Sequence, residues 1–324
     1  MTGPYWHDPD TGITLHHGDS LNVLPTLPDA SVDAVVCDPP YEIGIADRDW
    51  DRTGIAYNTD LWAECLRVLK PGGHLLAFGH VRTYHRLAAA IEDAGFEIRD
   101  CIDWIYGQGY PGGKTQLKPA REPITVARRP FRGSEKGNIA AHGVGGLHVD
   151  SCRTDTGRWP ANLLLGHSPD CSDHCTPGCP VAELDAQSGI RTSGSGAIRT
   201  KPGHFMGNGG LGRPGDVQTT YGDTGGASRY FTVFRFESKV TTRLPAGRKH
   251  ITPKPLPLMR WLVRLVCPPG GTVLDWAAGS GTTLLAARDE GLRAIGIELH
   301  EPHARICVAR LSEPYSASLF TDIA

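Results

Sequence analysis

The stretch Ala34-Val35-Val36-Cys37-Asp38-Pro39-Pro40-Tyr41 constrains the fold more than any other part of the chain. Ala34 to Cys37 is an unbroken apolar run of the kind that makes a buried strand. It ends on an acid and two prolines, neither of which has an N–H to give to a sheet ladder. The chain must therefore leave the sheet at the strand's carboxyl end, the edge along which open α/β sheets place their ligands. Asp38 and Tyr41 then stand on a stiff backbone, with Cys37 facing the opposite way and reading as core. A strand closed by a proline-rich turn would look the same locally, so the distinction rests on the rest of the chain.

The surrounding pattern alternates strand and helix. Ile13 to His16 reads as a strand, and in Gly18-Asp19-Ser20 an acid or hydroxyl can cap the short turn of helix over 21–27. Residues 42–58 form a loop over the candidate site. Leu61, Trp62, Cys65, Leu66 and Leu69 recur at helical spacing and are followed by Pro71-Gly72-Gly73. Strands follow over 74–78, 96–105 and 124–127, with a helix over 84–94 stopped by Gly95. After residue 256 the pattern resumes: a helix to Val266, a strand over 272–275, a helix over 282–290, a strand over 294–298 and a last helix over 302–311. These are βαβ units, so the expected fold is a doubly wound, mainly parallel α/β sheet. Trp62 and Trp261 read as helix-core aromatics, and His16, His17, His74 and His80 as sheet-edge or loop histidines.

Between the two patterned regions the texture changes. The net charge of −2 conceals an asymmetry: residues 105–250 carry 19 Lys and Arg against 11 Asp and Glu, and the remainder is correspondingly acidic. A basic middle suits a polyanionic partner. Periodicity fades from Pro130 to about Ser228 except over 159–165, and twelve glycines fall between Gly189 and Gly226. A mobile loop is expected there, and a strand near Tyr230 to Phe236. Arg128-Arg129 and Arg248-Lys249 are candidates for phosphate contact. The insert also holds His167, Cys171, Cys175 and Cys179 in regular x₃ spacing, with His174 inside the run. Such a set can close a tetrahedral zinc site, with free thiols or a disulfide as alternatives. Pro169, Pro177, Gly178 and Pro180 argue against one helical face and favour a metal knuckle that would staple a weak core. No apolar run reaches membrane-spanning length and no signal segment opens the chain, so a cytoplasmic location is expected, where a disulfide is disfavoured.

The second informative site is Val273-Leu274-Asp275-Trp276-Ala277-Ala278-Gly279-Ser280-Gly281-Thr282-Thr283. A strand, a glycine turn and a helix make a nucleotide cradle, in which glycines permit close approach and helix N–H groups face the ligand. Leu284 stands where a dinucleotide fingerprint needs its third glycine, which argues against NAD. Glu298 closes the next strand at the spacing of a ribose-binding acid.

Together these segments resemble the DNA amino-methyltransferases. Asp38-Pro39-Pro40-Tyr41 is similar to that family's catalytic motif. Asp275 to Thr283 is similar to its S-adenosylmethionine-binding motif, Thr252-Pro253-Lys254-Pro255 to the segment preceding that motif, and Gly18-Asp19-Ser20 to a motif whose acid contacts adenine of the cofactor. The order, catalytic motif early and cofactor motif late, is that of the β class, and the likeness covers roughly residues 13–128 and 250–312. Two departures stand out: Trp276-Ala277 replaces the family's Pro-Phe, and Ile251 replaces a proline.

The resemblance implies catalytic roles for Asp38, Pro39, Pro40 and Tyr41. It implies cofactor contacts from Asp19, Asp38, Lys254, Asp275, Trp276, Ala277, Gly279, Gly281, Thr282 and Glu298. The implied domains are a catalytic half (1–129), a target-recognition insert with the knuckle (130–245) and a cofactor-binding half (246–324). The implied partner is double-stranded DNA, from which the target base is flipped against Tyr41; a homodimer and a restriction endonuclease partner fit the same reading. Aspartate rather than serine at position 38 leans towards adenine N6. Cytosine N4, an RNA base, and a non-catalytic DNA-binding role that keeps the fold are the alternatives.

Overall fold

The computed structural model describes residues 3–44, 49–107, 109, 113–194, 198, 215, 221–235 and 254–313. Among the described residues the chain builds a ten-stranded sheet. Its strands are β1 (Trp6–Asp8), β2 (Ile13–His17), β3 (Val32–Cys37), β4 (Leu69–Phe78), β5 (Glu97–Ile105), β6 (Arg121–Arg128) and β7 (Leu163–Gly166). After a separate two-stranded ribbon, β8 (Arg191–Thr192) with β9 (Thr224–Gly225), come β10 (Thr232–Phe234), β11 (Thr272–Asp275) and β12 (Arg293–Glu298). The order across the sheet is β1-β2-β12-β11-β3-β4-β6-β5-β7-β10. Only β1 and β6 run against the rest, so the mainly parallel sheet expected from the alternation is what forms.

The helices are α1 (Ser20–Val23), α2 (Thr59–Val68), α3 (Tyr84–Asp93), α4 (Glu135–His142), α5 (Pro180–Ser188), α6 (Leu256–Val266), α7 (Thr282–Asp289) and α8 (Glu301–Leu311). They cover both faces. Alternation along β3 shows how: Ala34 and Val36 join the core under α6 and α7, while Val35 and Cys37 join the core under α2 and α3. A strand buried on both sides needs an unbroken apolar run, which explains the pattern at 34–37.

From β3 the chain winds through α2 to β4 on one side; from β11 it winds through α7 to β12 on the other. Winding therefore reverses between β3 and β11, and a crevice opens outside their carboxyl ends. The two strands are joined at their base by the buried Asp33, whose carboxylate accepts from Thr272 N–H at 2.8 Å and pairs with Lys70 at 2.6 Å.

Several expectations change. His74 is not at an edge: it lies on the central strand β4, buried, and burial holds its ring down to about 3. Pro71-Gly72-Gly73 follows α2 as expected but belongs to β4, where the pairing with β3 slips register between Val32 and Ala34. The described residues of the insert hold more regular structure than its missing periodicity suggested. Helix α4 is held by Asn138, whose amide donates to Pro71 O (2.9 Å) and Val144 O (2.6 Å). Pro180 opens α5, the first-turn position where its missing N–H costs nothing. Both β7 and β10 extend the main sheet, beside β5. Ile251, Thr252, Pro253, Arg248-Lys249 and most of the glycine-rich run lie outside the described residues.

Candidate active site

Four acids stand at or just beyond the carboxyl ends of four adjacent strands: Asp19 after β2, Glu298 on β12, Asp275 on β11 and Asp38 after β3. Asp19 caps α1, accepting from Leu21 N–H at 2.9 Å, and Ser20 Oγ donates to Trp276 O at 2.6 Å, tying that turn to the end of β11. Glu298 bridges two turns: one oxygen accepts from Gly279 N–H at 2.8 Å and the other from His300 N–H at 2.7 Å. Asp275 is buried and accepts from Ala277 N–H at 3.0 Å; burial outweighs its hydrogen bonds and lifts its carboxyl to about 7.

The turn between them is built from left-handed backbone. Gly279 has φ +54° and Gly281 φ +81°. A Cβ at Gly281 would meet Cys307 Sγ at 2.3 Å, so α8 packs where only glycine fits. Gly281 opens α7, and Thr282 begins it, so free N–H groups of that helix face the crevice. These residues suit a nucleoside-like group with a ribose and a charged tail: a glycine turn, a helix N-terminus and a terminal acid. The ring of Trp276 is turned away from the crevice into the core, edge-on to Trp62 with centroids 5.4 Å apart, and Ala277 behind it is half-buried.

Across the winding reversal the Asp38 carboxylate has two unlike oxygens. Oδ2 accepts from Lys254 Nζ at 2.6 Å. Oδ1 is buried with no hydrogen-bond partner. A buried carboxylate oxygen without a donor is costly, which marks it as a position built for a ligand's N–H. Burial, more than Lys254 offsets, raises the Asp38 carboxyl above the ordinary aspartate range. Lys254 is only 9% exposed and also reaches Glu122 Oε2 at 3.3 Å, with its ammonium 5.1 Å from the Tyr41 ring centroid and 4.9 Å from that of Phe78. Tyr41 Oη donates to the same Glu122 oxygen at 2.7 Å, and Thr83 Oγ1 holds the Tyr41 carbonyl at 2.9 Å. Tyr41 is thereby fixed, and burial with two acids nearby raises its phenol well above normal.

Glu122 is the residue that reading the sequence missed. It sits near the start of β6, which lies beside β4, and it meets Tyr41 across 81 residues of chain. The one local signal is an acid left in an otherwise apolar strand. His80, in the loop after β4, also lies here, its ring 6.0 Å from Tyr41. Arg128 and Arg129 do not face outward: Arg128 pairs with Glu97 at 2.7 Å, and Arg129 donates to the carbonyls of Arg67 and Leu69.

The cysteine cluster closes on itself at the far end of the sheet. The ligand atoms of His167, Cys171, Cys175 and Cys179 all lie within 4.8 Å of one another. His167 Nδ1 is 3.3 Å from Cys179 Sγ and 3.4 Å from Cys175 Sγ. None of the nine cysteines is joined in a disulfide in this structure. Tetrahedral ligands about 2.3 Å from zinc stand roughly 3.8 Å apart, so the set needs little movement to hold one ion. Burial alone would push the Cys179 thiol up, but N–H groups of Ala182 and Ser168 and the His167 ring bring it down to about 6, favouring the thiolate a metal requires.

The sheet order, the winding reversal and the acid-lined crevice define the class as the S-adenosylmethionine-dependent methyltransferase fold. The PvuII DNA methyltransferase, cytosine-N4-specific, shares that fold with a TM-score of 0.58 at 15% identity, covering 99% of this chain and 90% of its own. M1.HpyAVI does so with a TM-score of 0.51 at 15% identity over 92% of this chain and 98% of its own. Within that class, the N6/N4 family model described as DNA methylase matches residues 32–309, and the chain belongs to that family. Type II methyltransferase M.ScaI of Streptomyces caespitosus is 24% identical over 98% of this chain and 86% of its own length. Type II methyltransferase M.BglII of Bacillus subtilis is 29% identical over 40% of this chain, a match that spans only 45% of that relative. Among the described residues no helix is long and apolar enough to cross a membrane.

Proposed function

We propose that the chain transfers a methyl group from S-adenosylmethionine to the exocyclic N6 of adenine in double-stranded DNA. The observation that carries this reading is the Asp38 carboxylate, with one oxygen tied to Lys254 and the other buried and unpartnered beside the glycine cradle. Asp275, Gly279, Gly281, Thr282 and Glu298 suit the nucleoside and tail of the cofactor, with Asp19, Lys254 and the Trp276-Ala277 backbone around them. S-adenosylmethionine supplies an electrophilic methyl on a sulfonium.

The chain's own groups act on the amine. An exocyclic amine is a weak nucleophile because its lone pair is delocalised into the ring. Asp38 Oδ1 and the Pro39 carbonyl accept its two hydrogens, and Pro40 keeps that turn rigid, so nitrogen moves towards a tetrahedral geometry and recovers its lone pair. The N–C bond forms as the S–C bond breaks and its electron pair returns to sulfur. The surplus proton leaves nitrogen for Asp38 or solvent. Tyr41, fixed by Glu122 and Thr83, offers a face on which a flipped base can stack. Aspartate rather than serine at position 38, read with the resemblance of the Asp38–Tyr41 motif, favours adenine over cytosine.

The basic middle of the chain supplies the surface for duplex DNA, and His167, Cys171, Cys175 and Cys179 hold a structural zinc ion there. Residues 1–129 and 246–324 act as one catalytic unit around the 130–245 insert. Modification-sensitive sequencing of DNA from cells expressing the chain tests the reading. N6-methyladenine in one sequence context supports it; N4-methylcytosine, or methylation confined to RNA, overturns the choice of base or substrate.

A further inference from the structure

A narrow gap beside the cysteine knuckle reaches the residue next to Lys254. The gap, of about 60 Å³, lies between Trp104, Tyr106, Gly166, His167, Phe234 and Pro255. His167 is a knuckle ligand, and Pro255 follows Lys254 directly. Trp104 lies opposite Glu122 in the β5–β6 ladder, and Tyr106 is close enough to Glu122 and Lys254 for both to influence its phenol. The knuckle ligand His167 thus lines a gap whose other residues, Pro255 and Trp104, are the immediate neighbours of Lys254 along the chain and of Glu122 across the ladder.

Arg235 stands at the rim. It follows β10, is exposed, and donates from Nη1 to Ser172 O at 2.5 Å, inside the knuckle loop. His167 N–H donates to Phe234 O at 2.9 Å, which fixes the neighbouring residue from the other side. Cys171 and Cys179 are buried in a small apolar cluster with Leu165 and Val181, flanked by the partly buried Phe231 and Val233, so the 168–176 loop has little apolar packing of its own.

We infer, resting on the zinc reading above, that the knuckle is a clamp. By fixing the 168–176 loop, the metal holds the Arg235 guanidinium, through Ser172 O, at the gap beside Pro255, where it meets a DNA phosphate. DNA engagement therefore depends on zinc, and cofactor binding does not. The cofactor crevice lies at β11 and β12, on the far side of β3, β4, β6 and β5 from the knuckle.

The test compares the full chain in three forms, wild type and the two variants Cys175→Ser and Arg235→Ala. Cys175 is the exposed ligand, so its replacement disturbs packing least. Wild type should carry about one zinc ion per chain. Cys175→Ser should lose it and raise the KM for DNA about tenfold or more, with S-adenosylmethionine affinity within about twofold of wild type. Arg235→Ala should keep its zinc and lower the slope of log affinity for DNA against log salt by about one. Wild type that neither contains nor takes up zinc overturns the zinc reading itself. Zinc loss with an unchanged KM for DNA, or with cofactor binding lost as well, overturns the clamp while leaving zinc in place. An unchanged salt slope in Arg235→Ala overturns the phosphate contact.

Discussion

The catalytic sheet and the insert are held together in different ways. In the sheet, large apolar side chains are buried in two continuous layers: Ile13, Leu15, Val36, Leu76 and Phe78 on one side, Val35, Leu61, Trp62, Leu75 and Ile91 on the other. In the insert the apolar cluster is small, and polar or soft groups take over. Arg158 lies against the rings of Tyr221 (4.5 Å) and Tyr230 (4.4 Å) and pairs with Asp223 at 2.6 Å, and elsewhere in the insert three cysteines and a histidine converge. Apolar layers are non-directional and tolerate many sequences of the right size. Ion pairs, stacked guanidinium groups and metal ligands need particular residues in particular places. The sheet provides a stable platform, and the insert provides directional surface chemistry.

That contrast can be broken at several points. The largest effect belongs to Asp38→Ala, which should slow methyl transfer about a thousandfold or more while S-adenosylmethionine binding stays within a few-fold. Single-turnover transfer and cofactor titration read the two separately, and an active variant would remove Asp38 from the mechanism. Next, Trp62→Ala should cost about 3–5 kcal/mol in denaturant unfolding, because the ring is wholly buried and its indole N–H bonds Ala56 O at 3.0 Å. A loss under about 1 kcal/mol would mean that the sheet is not held by its apolar layers.

Glu122→Gln is expected to lower kcat about tenfold. The direction of its pH effect is fixed: Glu122 helps to raise the Asp38 carboxyl, so removing its charge should move the acid limb of the kcat profile to lower pH. An unmoved limb would reduce Glu122 to packing.

Asp275 gives a stability test with the opposite sign from most carboxylates. Its folded value of about 7 lies above the ordinary 3.8, so the folded state binds the extra proton between those limits and loses stability as pH rises through them. Asp275→Asn should therefore gain stability relative to wild type as pH rises from about 4 to 7, with the difference levelling off above that. Thermal melts across that range would show a constant offset if the carboxyl were not buried protonated. The smallest effect is in the insert: Trp159→Ala should change stability by no more than about 0.5 kcal/mol, since the ring is 59% exposed.

Legibility in the sequence followed the same divide. Periodicity located β3, β11, β12 and the long helices because burial on one or two faces writes itself into the order of apolar residues. Asp38, Asp275, Gly279, Gly281 and Glu298 were readable because each punctuates such an element. Helices α4 and α5 were not, since neither has a wide apolar face; α4 is fastened by an asparagine amide and by Glu135 paired with Arg128, and α5 begins on a proline that looked like a breaker. Arg128 and Arg129 looked like surface cations, yet their guanidinium groups are spent on internal acceptors. Glu122 and Arg235 become meaningful only through contacts across distant parts of the chain, and no local pattern encodes those.

The position of β11 between β12 and β3 has a consequence for synthesis. Strand β3 ends at Cys37 and its inner neighbour begins at Thr272. At roughly 5–20 residues per second, the ribosome takes on the order of ten seconds to a minute to make the intervening chain. Throughout that time an apolar strand has one unsatisfied edge, and β2 waits likewise for β12. Such an edge invites pairing with another nascent copy. The last strands made, β11 and β12, are interior ones, so a chain cut short anywhere in the insert leaves β1 and β2 with nothing to join them to β3.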